Sequence, residues 1–195
     1  VTFGGNDDNV MQALLEKSNL NENEYTLYSV RRDLTPFYKK KADIWPCYLN
    51  SQGVILKKKL GKEGEAVAFL NPADFDVKFV ANSVVTSVRM IEEQPETVKK
   101  FIASLMAGWR ESLDPSNESK ALETLKKFDK GATADLQKDQ LDATRPLVKP
   151  NADTKIGMID VDAWKQTEQI MLKGKQIAEP IGVEKALKPY PEAYQ

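Results

Sequence analysis

Hydrophobic and polar positions change their rhythm near residue 80. Before it, short runs of β-branched and aromatic residues alternate with helical stretches. VTFGG at 1–5, YTLYSV at 25–30, ADIWPCYL at 42–49 and AVAFL at 66–70 predict strands. Between them, the spacing predicts a helix from about Asp7 to Lys17 and another from Ser51 to Leu60. DLTPFYKKK at 33–41 predicts a short helix, with Asp33 as cap and Pro36 near its start. Strands alternating with helices on short connections predict an α/β fold with a parallel, doubly wound sheet.

After Pro95 the period becomes helical. Val98, Phe101, Ile102, Leu105, Met106, Trp109 and Leu113 recur at three- and four-residue steps and predict one buried stripe, ended by Asp114-Pro115. Further helices are predicted over Glu118–Lys127 and Ala134–Arg145, the latter closed by Pro146 and Pro150. A fourth runs through Trp164, Ile170 and Met171, capped by Asp160 or Asp162 and stopped near Gly174. Each has a single apolar stripe and needs a sheet to cover. KFVANSVVTSV at 78–88 then reads as a crossing between domains, giving an α/β lobe over 1–80 and a crossing plus helical return over 81–195. The tail, with Pro180, Pro189 and Pro191, reads as a surface strap.

Composition narrows the chemistry. Lys plus Arg number 28 and Asp plus Glu 29, so charge gives no bias toward nucleic acid or anionic membrane. The chain has no histidine, which removes Ser-His-Asp and Cys-His arrangements from its 195 residues. The lone Cys47 excludes an internal disulfide and a cysteine-rich zinc site. No apolar run reaches the ~18 residues of a membrane-spanning helix. VTFGG opens without Met or lead-in, which suggests a truncated or processed piece.

Three stretches carry candidate chemistry. FGGNDDNV joins a strand to a helix through Gly4, Gly5, Asn6 and Asp7. Glycines permit a sharp turn and close approach, and the first helical turn offers N–H donors to a polar or anionic group. A tight turn with an acidic residue complementing the helix dipole explains the same residues. In WPCYLNSQ, Trp45 and Tyr48 can stack on a flat ring while Asn50, Ser51 and Gln52 hydrogen-bond to heteroatoms. Core filling by Trp45 and helix capping by Asn50 are the plain alternatives, and Cys47 reads as packing. NPADFDVKF adds Asp74 as a ligand contact, against a loop stabilised by its own Asx turns.

In order, GGND, ADIWPCYLNSQGVIL, NPADFDVKFVANSVVTS, QPETVKKFIASLMAGW followed by DP, and KIGMIDVDAWKQT resemble the substrate-binding proteins of ABC importers. The specific likeness is to the family binding thiamine pyrimidine precursors, with nitrate and sulfonate binders beside it. That resemblance implies a type II periplasmic-binding-protein-like fold: one doubly wound α/β lobe plus C-terminal helices belonging to a first lobe largely missing here. It implies a small-molecule ligand, no cofactor and no metal. The ligand would be held by Gly4, Gly5, Asn6, Asp7, Trp45, Tyr48, Asn50, Gln52 and Asp74. Val80, Asn82 and Thr86 would serve as hinge residues.

The resemblance also implies a membrane permease as partner, a periplasmic or extracellular location with a lipoprotein anchor as one form, and no bond-making chemistry. Exposed apolar helix faces favour a homo-oligomer or pairing with a first lobe. An enzyme of the same fold, the single-turnover pyrimidine synthase of thiamine biosynthesis, carries a cysteine-rich run near the crossing. Here that place reads VANSVVTS. A plain interaction module is the third expectation. Where many relatives have an acidic residue, this chain has Gln52, which implies a neutral planar or small heteroaromatic ligand, with anions such as sulfonates or a flavin as alternatives.

Overall fold

The computed structural model describes residue 1, residues 5–29 and residues 33–193. Its helices are α1 Asn6–Lys17, α2 Thr35–Tyr38, α3 Val54–Lys62, α4 Val88–Glu93 and α5 Pro95–Leu113. They continue with α6 Glu118–Phe128, α7 Ala134–Val148, α8 Val161–Lys173 and α9 Val183–Ala186. Among the described residues there is no strand, so the expected doubly wound α/β lobe is corrected to a helical arrangement with extended connections. The reason is physical. The segments at 25–29, 42–48 and 66–70 lack helical structure, as their β-branched and aromatic residues favour. A sheet also needs pairing between segments, and none of these pairs with another. Phe69 and Leu70 stay exposed rather than packing on a sheet face. The strand expected over VTFGG falls mostly on residues 2–4, outside the described residues, as does Val30.

The described chain divides into two compact units. The first comprises Val1–Pro46, Ala68–Ser83 and Asp160–Lys188. Here α8 packs against α1 and α9. Asp160 caps α8 by accepting from Ala163 N at 2.9 Å, and Gly174 ends the helix. Ala163 and Thr167, one helical turn apart, are buried with Val77 and Val183. Successive polar residues of α8 satisfy neighbouring backbone. Gln166 accepts from Lys78 N and donates to Asp76 O, while Thr167 Oγ1 accepts from Val80 N at 2.8 Å. Glu168 accepts from Ile181 N and Gly182 N at 2.8 and 3.0 Å. Side chains thus take the place of a neighbouring strand beside 76–80.

The second unit comprises Cys47–Val67, Val84–Ile159 and Pro189–Gln195, with its last two residues outside the described set. Pro95 starts α5 where a missing N–H costs nothing. Of the expected stripe, Val98 and Met106 are buried, and Ile102, Leu105 and Leu113 pack on a core of Met106, Ile156 and Ala193. Phe101 remains 56% exposed, outside that core. Asp114 stops α5 by accepting from Ser116 N and Oγ at 2.8 and 2.7 Å. α6 packs on α5 and α7, and α7 on α3. Arg145 joins them: it donates to Leu113 O at 3.2 Å, lies 3.2 Å from Glu118 and pairs with Asp142. Pro146 sits inside the last turn of α7 rather than closing it, and the helix runs to Val148. Near a helix end a lost backbone bond costs less than in mid-helix. The short helices α4 and α9 were not legible from periodicity because each holds under two turns.

Candidate functional site

WPCYLNSQ divides between the units after Pro46. Trp45, in the first unit, is partly buried, and its indole N–H donates to Asp33 O at 3.2 Å. The Thr35 side chain and then its N–H, at 2.9 Å, hold the Asp33 carboxyl below the usual carboxylate range. Burial pushes the half-buried Cys47 thiol up, so it is protonated at neutral pH. That agrees with a packing role.

The helix expected from Ser51 starts instead at Val54, after one wide turn of π-helix over Leu49–Gly53. Tyr48 O closes the turn, accepting from Ser51 N and Gly53 N, both at 3.0 Å. Such turns re-aim side chains and recur at functional positions. Tyr48 is 58% exposed, while Gly53 beneath it is buried. Gln52 Oε1 accepts from Tyr48 N at 3.2 Å. Asn50 Nδ2 donates to Thr144 Oγ1 on α7 at 3.1 Å, and Thr144 Oγ1 donates to Gln140 O at 2.7 Å. Leu56 and Leu60 of α3 are buried below, and Lys58 pairs with Asp139 of α7 at 2.8 Å. Tyr48, Asn50 and Gln52 therefore sit together on one turn braced against α7. They can supply an aromatic face and two amides to a small flat molecule, with no nucleophile or acid–base pair among them.

The other expected ligand residues belong to the first unit. Gly5 is the extended N-cap of α1 and its carbonyl accepts from Asn9 N at 3.1 Å; Gly4 lies outside the described residues. Asn6 opens α1 and is exposed, and Asp7 follows it in the acidic first turn. Asp74 is exposed on a 3-10 turn, Pro72–Phe75, that packs against α1. Asn71 caps that turn by accepting from Ala73 N at 3.2 Å, an Asx turn as expected for this loop. Of the hinge residues, Val80 is fixed by Thr167. Asn82 and Thr86 are exposed on irregular backbone, on either side of the boundary between Ser83 and Val84.

Sequence reasoning missed Thr144, which fixes Asn50 from 94 positions away, and the α8 residues that hold 76–80. Nothing local marks a threonine in mid-helix as a partner for a distant amide. A cavity of about 180 Å³ elsewhere in the second unit is lined by Lys99, Lys100, Ala103, Tyr190, Glu192 and Ala193, none of them an expected site residue. No described helix is long and apolar enough to cross a membrane.

A family model described as NMT1/THI5 like matches residues 1–119, a span that includes the whole 48–53 turn. The chain belongs to the NMT1/THI5-like family, and with it to a group made up mostly of non-catalytic, small-molecule-binding proteins. No curated protein and no solved structure matches the chain.

Proposed function

We propose that the chain is the substrate-binding component of an ABC importer and captures a small heteroaromatic, thiamine-precursor-like molecule. The supporting observation is the turn at 48–53: it lies within the family match and presents an exposed Tyr48 beside two amides already held by backbone and α7. An aromatic face gives affinity for a flat ring, and fixed amides give orientation without the cost of ordering them on binding. In this reading a membrane permease takes the loaded protein, which works outside the cytoplasm. Substrate is bound and released unchanged.

A thermal-shift screen with pyrimidines, flavins and sulfonates tests the ligand class. Stabilisation by pyrimidines that rises with concentration is expected, as ligand binding to the native state requires. Stabilisation by none of the three would sink the ligand class, and chemical turnover of a bound pyrimidine would contradict a binding role.

A further inference from the structure

The cavity beside the C-terminal strap is built from two parts of the second unit that are far apart in sequence. On α5, Lys99 and Lys100 lie four and three residues before Ala103, so the three share one face of the helix. The short Ala103 side chain leaves a hollow between two long ones. The facing wall is the 3-10 turn Pro191–Ala193, with Tyr190 before it. That wall is fixed on either side of Glu192. Tyr190 packs on the core of Met106, Ile156 and Ala193, and Ala193 N–H donates to Tyr190 O at 2.9 Å. Ala193 O accepts from Arg110 Nη1, also on α5, at 3.2 Å. A ligand here meets a wall that is already ordered.

Opposite charges border this space without meeting. Lys99 is paired with Glu96 at 3.2 Å, but among the described residues the Lys100 and Glu192 side chains have no ion-pair or hydrogen-bond partner. One ammonium and one carboxylate thus line a single cavity unneutralised. Its volume of about 180 Å³ is well above the ~15 Å³ that one water needs and below the ~300 Å³ at which drug-sized sites begin. We propose that it binds a small amino-acid zwitterion with an apolar body. The ligand carboxylate pairs with Lys100, its ammonium pairs with Glu192, and its carbon skeleton lies over Ala103 and Tyr190. A bare anion or a bare cation answers one of the two charges only. A zwitterion answers both and bridges α5 to the strap, so occupancy holds 190–193 against the helix. None of the lining residues belongs to the 48–53 turn, and the site stands whether or not that turn takes a ligand.

The test is a titration of the 15N-labelled 195-residue chain with L-leucine, 4-methylpentanoate and 3-methylbutylamine at neutral pH. The second and third probes are leucine without its amino group and leucine without its carboxyl group. L-Leucine is expected to move the amide signals of Lys99, Lys100, Ala103, Tyr190, Glu192 and Ala193. It should bind about fivefold more tightly than either analogue, the value of one exposed charge pair. Lys100→Gln should bring leucine down to the level of 3-methylbutylamine, and Glu192→Gln to that of 4-methylpentanoate. Both side chains are exposed, so neither change threatens the fold. Exchanging the charges, Lys100→Glu together with Glu192→Lys, should restore leucine binding, which a general loss of structure would not allow. If either analogue binds as tightly as leucine, a single charge accounts for binding and the zwitterion is the wrong ligand. If no probe moves these signals, the cavity is not a ligand site.

Discussion

Asn50 Nδ2 donates to Thr144 Oγ1 across 3.1 Å, joining two residues 94 positions apart in the second unit. The bond ties the loop before α3 to the middle of α7 and fixes which amide atom faces away. Thr144→Val keeps the side-chain shape but removes the acceptor, leaving a partly buried amide donor unpaired. A loss of about 1 kcal/mol of stability is expected, with Thr144→Ser close to wild type. Urea unfolding of the three proteins checks it. Equal midpoints for wild type and Thr144→Val would show that the bond contributes nothing.

Gly174, at the end of α8, meets the Asn9 carboxamide of α1: a Cβ added there would collide with Asn9 Oδ1. Its φ of −72° is open to any L residue, so alanine meets no left-handed strain there. Asn9 is 6% exposed, so it has little room to move aside, and among the described residues its Nδ2 has no hydrogen-bond partner. Gly174→Ala is expected to cost about 1–3 kcal/mol. Adding Asn9→Ala should recover part of that loss in a double-mutant cycle. Additive effects in thermal or urea unfolding would contradict the contact.

Lys138 and Arg145 hold the Glu118 carboxyl below its ordinary range. A carboxylate whose folded pKa is depressed stabilises the fold above its unfolded pKa, near 4.3, and loses that contribution as pH falls through the folded value. Glu118→Gln should therefore be less stable than wild type at pH 6, with the gap closing toward pH 3. Unfolding midpoints at the two pH values measure it. A gap that widens in acid would reverse the sign of the linkage.

Gln166 holds both Lys78 N and Asp76 O, while Thr167 holds Val80 N. Gln166→Ala should raise the hydrogen-exchange rate of the Lys78 amide about tenfold and change that of Val80 much less. Equal acceleration at both would mean that the segment opens as one body.

The helices were legible where the chain carries its own signals. Asp160, the Ile170–Met171 pair and Gly174 mark α8 within a residue or two, and Pro95 with Asp114-Pro115 brackets α5. The sheet was misread because YTLYSV, ADIWPCYL and AVAFL reveal only a preference for extended backbone. Pairing depends on distant partners, and beside Lys78 and Val80 those partners are α8 side chains. At the candidate site, sequence picked out Tyr48, Asn50 and Gln52 by residue type. The π-turn that gathers them, and Thr144, which orients Asn50, arise from packing between α3 and α7 that no local pattern records.

Tyr48 is where binding is most directly accessible to measurement. At 58% exposure it supplies little to the core, so Tyr48→Ala should unfold at nearly the wild-type urea midpoint. Calorimetric titration with 4-aminopyrimidine should give single-site binding by the wild-type chain. In Tyr48→Ala the affinity should be weaker by about tenfold or more, the value of one stacked ring. Undiminished binding by Tyr48→Ala would place the ligand elsewhere and contradict the 48–53 turn as the site.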